Sequence, residues 1–400
     1  MGFISEIIAF ILGFFAKILL LDIWGEQILT RLRQMAIQRA RLRYTRIDTP
    51  SPFSKFRCYR IGNLEIPAMV VVGSPKTPFS FDEVTIDYKP ILREELPDFP
   101  NDLKAAWSYL IDQSKRKYDI KRFQDNILPR IDSAAEQEFE NEGDQRGGLK
   151  VSFSLTRFSS MLATNCALDY KVLPQRGLIA GLLTNRTLRE AYTSPPYDDL
   201  ARSILSNAAS VEVILVSRNP SQTPPDQVII RQRSPQVVNF TGFYQSSAAG
   251  YISLSHCSKD NIPNPFIGAV EEAKQEIADR LTVVPQDFKL IGIALAWQTL
   301  FPAFFGYIET GQSVAELLGD FKRDSYEGYL DAIPFDPTSV LSHIAEENWT
   351  PMSALAMIAT LRVFYPDSDI DSISRKLPMK TWQKFLLPEQ LSTPDSCSVS

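Results

Sequence analysis

The longest apolar run in this chain is Ile7 to Leu21, IIAFILGFFAKILLL, interrupted only by Lys17. Extended from Phe3 to Trp24, it is long enough to cross a bilayer as one helix. Arg31, Arg33, Arg39, Arg41, Arg43 and Arg46 follow with no acid between them. That asymmetry is expected to hold the rest of the chain on the cytoplasmic side, with Trp24 as an interfacial aromatic. The pattern therefore predicts a transmembrane helix over 1–24 and a basic juxtamembrane segment over 25–55.

Beyond Pro50 and Pro52 the pattern changes to that of folded units. Phe56 to Val72 is rich in β-formers and predicts two short strands turning at Gly62-Asn63. Asn101 to Gln124 predicts a helix. Ala134 to Gly148 is acidic, ends in paired glycines and reads as a linker or a solvated loop, which closes a small α+β region over 56–148. A second unit opens at Leu149, with a strand over Val151 to Leu155 and a helix over Tyr197 to Leu205. VEVILV, Val211 to Val216, is the strongest strand signal, and Gln227 to Arg233 is its hairpin partner. Short strand fragments turn at Gly242 and Gly250. Phe266 to Leu281 predicts a helix, Phe288 to Ala296 and Ala303 to Thr310 strands, and Val314 to Gly319, Ser339 to Glu347 and Pro351 to Phe364 further helices. Residues 371–400 read as a polar tail.

Composition narrows the classes. Net charge is −5 over 400 residues, so the arginine cluster is a local feature, explained by the adjacent apolar run rather than by nucleic acid. Cys58, Cys166, Cys257 and Cys397 are dispersed, without metal spacing or a disulfide framework. His256 and His343 are the only histidines, so histidine-centred catalysis and zinc sites are poorly supplied. No Walker loop, kinase catalytic loop, nucleophile elbow or nucleic-acid-reading module occurs.

The chemistry lies in IPNPFIGAVEEAKQEIADRLTV. On one helix Glu272, Glu276 and Asp279 would share a face, since they are spaced four and three apart. Phe266, Val270, Ala273, Ile277 and Leu281 would pack the other face onto a sheet. Like charges so placed repel, and a divalent cation such as Mg²⁺ would relieve that. A solvated acidic helix face is the plainer alternative. Arg231 and Arg233 alternate onto one strand face, where guanidinium forks could meet phosphate or solvent.

In layout, 203–364 resembles the Nudix hydrolase superfamily. LSNAASVEVILVSRN and DQVIIRQRS look like the opening hairpin, TGFYQSSAAGYISLS like the glycine-containing lead-in, EEAKQEIADRLTV like the signature helix, and FKLIGIALAWQTLFPAFFGYIE like the strands after it. The signature's Arg-Glu falls on Gln275-Glu276, its apolar position on Ile277 and its Glu-Glu on Asp279-Arg280. Its last glycine falls on Thr282, its closing apolar residue on Val283, its first glutamate on Ile267 and its first glycine on Asn261. Gly250 could play that glycine's part if the loop is enlarged by Cys257 to Pro265. Arg280 puts a cation where the family keeps a metal carboxylate, and Gln275 replaces an arginine that steadies the glutamates.

The resemblance implies an α/β class, with a Nudix-like α/β/α sandwich around a mixed sheet over 149–370. It implies Glu276 and Asp279 as ligands of Mg²⁺ or Mn²⁺ if the protein is active. Glu272, Glu276 and Glu309 are the catalytic candidates, and Arg231 and Arg233 the substrate-binding ones. Two functions stay open: an active hydrolase of a nucleoside diphosphate linked to X, or a membrane-tethered binder of a nucleotide or phosphorylated small molecule with weak or absent hydrolysis. A membrane-associated scaffold, with a protein partner for the N-terminal region, is a further alternative. No nucleic-acid partner is expected. Full-length protein should stay with membranes through an alkaline carbonate wash, and its recovery in the soluble fraction without detergent would refute the anchor.

Overall fold

A computed structural model describes residues 58–381, except 97, 118–119, 121–123, 139–146, 170–186, 194–196, 198, 235–236, 238–239, 241, 259, 320–323 and 326. The expected membrane helix over 1–24, the basic segment over 25–55 and the tail beyond 381 lie outside the described residues. Among the described residues no helix is long and apolar enough to cross a membrane.

The sequence strand VEVILV becomes Ser210–Arg218, in which Val211, Val213, Ile214, Leu215 and Val216 are wholly buried. A strand apolar on both faces needs cover on both. It receives that cover as a central strand of a large mixed sheet. The order is Asp324–Ser325, Gly328–Pro334, Asp226–Arg233, Ser210–Arg218, Pro302–Thr310, Phe288–Ala296, Ala68–Gly73. Ser210–Arg218 runs parallel to Pro302–Thr310, and its other edge is shared by Asp226–Arg233 and the short strand Ala248–Tyr251. Tyr244–Gln245 adds to Asp226–Arg233. The class is thus mixed α/β around a large mixed sheet.

Helices close both faces. Pro351–Phe364 is buried without a break from Pro351 to Leu361, which suits a helix apolar all round. Its Ser353 hydroxyl donates to Glu212 on the central strand. Helix Pro265–Glu276 covers the opposite face, because Glu272 stands over Gly250, whose register partner is Val211, the alternate neighbour of Glu212. Asn264 caps it, accepting from the Phe266 and Ile267 amides, with Pro265 in the first turn.

Two smaller three-stranded sheets complete the described chain. Tyr59–Ile61 and Leu64–Ile66 form the hairpin expected at Gly62-Asn63, joined by Lys380–Thr381. The third strand of that β-rich stretch, Ala68–Gly73, instead enters the large sheet. The other small sheet joins Val84–Leu92, Gly147–Arg157 and Ile127–Glu138.

Several expectations change. The acidic stretch expected as a linker is partly strand: Ala134 to Glu138 pairs with Val151 to Gly147. The boundary expected between 148 and 149 therefore falls inside a hairpin, and both sides belong to one unit, Pro52–Trp382. The backbone hydrogen bonds of the ladder outweigh the local acidic composition, and composition carries no record of pairing. No helix spans Tyr197 to Leu205; only the turn Leu200–Arg202 forms. The buried Arg130 guanidinium donates to the Ser203 and Leu205 carbonyls of this irregular stretch. Helix Asn101–Lys117 ends before Gln124, and Asp367–Ser374 adds a helix after Pro366 inside the unit that 370 was expected to close.

The most consequential change is that Pro265–Glu276 stops short of Leu281. Thr282, Val283 and Val284 are β-branched and Pro285 follows, a poor helical continuation. The Thr282 amide and hydroxyl bond instead to the Gln312 side chain, both at 2.9 Å. Ile277, Ala278 and Leu281 stay buried as an irregular return to Phe288. Ile277 is fully buried there, so Ile277→Asp should cost more than about 2 kcal/mol, measured by denaturant unfolding of folded variant and parent.

Candidate functional site

Small residues bring the site together. Strand Ala248–Tyr251 begins Ala-Ala-Gly, and helix Pro265–Glu276 lies close over it. The Glu272 carboxylate lies directly over Gly250, where a Cβ would push that carboxylate aside. One turn on, Glu276 Oε2 accepts from the Ala249 amide at 3.0 Å. Glu272 and Glu276 thus share one helix edge over the sheet, as their spacing predicts.

The arginines come from strand Asp226–Arg233. Arg231 is 0% exposed, with its Nη2 3.4 Å from Glu276 Oε2 and donating to the Glu276 carbonyl at 2.9 Å. Its Nε and Nη1 are buried without a partner. Arg231 stands in register with Gln245, whose side-chain nitrogen is also buried and unpartnered. Arg233 donates to the Gln245 side-chain oxygen. Buried donors left unmet each cost about 1–3 kcal/mol, more when charged, so such a cluster is not built for stability.

Burial sets the proton affinities. It pushes Glu272 up to about 8, with Glu276 and Glu327 adding repulsion and Arg231 opposing. It pushes Glu276 up to about 7, against Arg231, the Ala249 amide and Arg233, with Glu327 raising it further. Burial lowers the proton affinity of Arg233, while Glu327, Glu212 and Glu276 counter it. Glu327 precedes strand Gly328–Pro334, and its carbonyl accepts from the Ser234 amide. Glu212 lies on the opposite sheet face, raised by burial and held by the Ser246 and Ser353 hydroxyls.

The structure therefore gathers Glu272, Glu276, Arg231 and Arg233, and leaves out two expected members. Asp279 follows the helix end, exposed, so it does not share the carboxylate edge. The expected Glu276–Asp279 metal pair is replaced by Glu276 facing Arg231. Glu309 pairs with Arg218 at 3.4 Å and lines a separate open cleft of about 420 Å³ with Asp287 and Glu316. Its register partner is Val216, whereas that of Ala249 is Glu212, about 13 Å away along the strand. Arg280 is also exposed, donating to the Leu317 carbonyl away from the carboxylates. Among the described residues no group of three or more His, Cys, Asp or Glu side chains is disposed to hold a metal ion.

Sequence reasoning missed Gln245, Glu327 and Glu212. Glu212 had a readable signal, as the one acid inside an apolar central strand. Gln245 and Glu327 had none, because only register and loop return bring them in.

The sequence matches no protein-family model and no curated protein.

Glu272 and Glu276 hold protons in the folded protein that an ordinary carboxyl, at 4.5, would release. The native state thus binds more protons between pH 4.5 and about 8, and this contribution to stability, full at low pH, falls as pH rises through that window. Glu272→Gln should remove about 2 kcal/mol or more of that loss, read as a flatter dependence of thermal midpoint on pH. An unchanged slope would show that the carboxyl titrates normally.

Proposed function

We propose that this protein is a membrane-tethered, Nudix-like module that binds a nucleotide or another phosphorylated ligand, with weak or absent hydrolysis. The observation that carries the reading is the charge balance of one sheet face: Arg231 is fully buried against the Glu276 carboxylate, with the half-buried Arg233 and Glu272 as the neighbouring charges. Guanidinium groups in a water-poor setting favour phosphate oxygens. Their placement against an amphipathic helix that follows a glycine-containing strand agrees with the layout resemblance. So does the sandwich of helix, mixed sheet and helix.

The residues fit a hydrolytic Mg²⁺ poorly. Glu276 is committed to Arg231, Glu272 has high proton affinity, and Asp279 and Glu309 stand apart. One observation favours the active hydrolase as a second reading: Arg280 turns outward to Leu317, so its cation does not sit on the carboxylate edge. The apolar run Ile7 to Leu21 and the arginines after it support the tether and the cytoplasmic placement of the folded unit.

A panel of nucleoside diphosphate derivatives, tested with Mg²⁺ or Mn²⁺ on the parent and Glu276→Gln, separates the readings. Binding without turnover, weakened at least tenfold in Arg231→Leu, is expected. Robust turnover that Glu276→Gln abolishes would establish the hydrolase instead.

A further inference from the structure

A cleft of about 580 Å³ opens beside helix Asn101–Lys117, a volume suited to a small organic molecule. Trp107, Ile111 and Lys115 follow one another at four-residue steps along the helix edge that lines it, with Asp112 beside them. The facing wall carries Glu94, from the turn Arg93–Glu95, and Arg157, where strand Gly147–Arg157 passes into helix Phe158–Ala163. Glu94 Oε1 accepts from the Ser160 hydroxyl at 2.9 Å. Its Oε2 is buried and has no partner among the described residues. Arg157 Nε stands 3.6 Å from Glu94 Oε1, and its Nη2 stands 4.0 Å from Glu95. Both distances are longer than a hydrogen bond, so the guanidinium is charge-paired with these acids without bonding to them. Its side chain is 37% exposed, within reach of a guest. An unmatched acceptor thus lies beside an open donor fork. A plain anion entering here would be repelled by Glu94 and Asp112, and a plain cation by Arg157 and Lys115. A guest with both charges satisfies both. The 3.6 Å spacing requires those charges to be close, as they are when an ammonium and a carboxylate share one carbon. Trp107 and Ile111 offer apolar surface to the rest of the guest, and Phe99 packs edge-on against the indole at 5.7 Å between centroids, which fixes its plane.

We infer that this cleft binds an α-amino acid with a large apolar side chain, its carboxylate forked on Arg157, its ammonium on Glu94 and its side chain against Trp107 and Ile111. The Arg157–Glu94 pair that the guest parts is long and partly exposed, so opening it costs little. The Glu94 carboxyl turns about a terminal torsion that is broad and soft, which brings Oε2 round to the guest. A carboxylate on a guanidinium makes two parallel charge-assisted bonds, stronger than the contacts Arg157 has at rest. Burial raises the proton affinity of Glu94, and a guest ammonium opposes that, as the Ser160 hydroxyl and Arg157 already do. The cleft shares no residue with the Arg231–Glu276 cluster and is independent of whatever ligand that cluster takes.

The full-length protein is titrated calorimetrically at neutral pH with L-phenylalanine, phenethylamine, hydrocinnamate and ε-aminocaproate. Phenethylamine and hydrocinnamate keep the ring and each lose one charge. The caproate keeps both charges and sets them far apart. L-Phenylalanine is expected to bind at least tenfold tighter than each of the other three. Arg157→Gln should weaken its binding at least tenfold. Glu94→Gln, which can still accept from Ser160, should weaken it several-fold. If either variant does not fold, the four-ligand comparison on the parent decides alone. Phenethylamine or hydrocinnamate binding as tightly as L-phenylalanine overturns the two-charge site. Equal binding of the caproate overturns the requirement for adjacent charges, and with it the α-amino acid. No binding of L-phenylalanine at millimolar concentration, or binding that both variants retain in full, overturns the assignment to this cleft.

Discussion

The pairing of Arg231 with Glu276 ties the end of helix Pro265–Glu276 to the large sheet, and the geometry around it follows from that tie. Both groups are withdrawn from water, and removing one partner of such a pair leaves an uncompensated buried charge worth about 3–5 kcal/mol. With the last helical turn held to strand Asp226–Arg233 and to the Ala249 amide, the helix lies directly over Ala248–Tyr251. Gly250 leaves room for the Glu272 carboxylate to lie over the strand. The chain then leaves the helix at Ile277, buries Ile277, Ala278 and Leu281, and returns to the sheet at Phe288.

This arrangement stabilises the fold less than an apolar contact of the same volume would. Desolvated ion pairs often break even at best, and the unmatched donors on Arg231 and Gln245 count against the folded state. Elsewhere the protein uses ordinary means: a largely apolar central strand, a helix buried along most of its length, and aromatic contacts such as Phe266 with Phe81 and Phe288. The contrast is what directs attention to one face of the sheet. A cluster that departs from the economy of the surrounding core is best understood through what it binds, and the phosphate reading supplies a guest for the unmatched donors.

Much of this was legible along the chain. The central strand, its hairpin partner, the strands Phe288–Ala296 and Pro302–Thr310 and the helix Pro351–Phe364 follow from runs and turn residues that act over a few positions. So does the shared edge of Glu272 and Glu276, because four residues nearly complete a helical turn. Asp279 falls off that edge because the helix ends at Glu276, and the Thr282 amide then donates to Gln312, thirty residues away. Tyr197 to Leu205 forms only the short turn Leu200–Arg202, with its Ser203 and Leu205 carbonyls bonded to Arg130, some seventy residues away.

By itself, then, the sequence determined which segments are apolar on which side, and which charges share the face of a single element. The tertiary structure alone decided which charges on different elements meet. Arg231 faces Glu276 and Gln245 because of strand register and helix-to-strand distance, whereas Glu309 is carried away to Arg218. Periodicity is local and repeats with the backbone's own geometry, so it can be read from neighbours. Register and packing distance are settled by hydrogen-bond ladders and side-chain volumes contributed by distant parts of the chain, which no local pattern records.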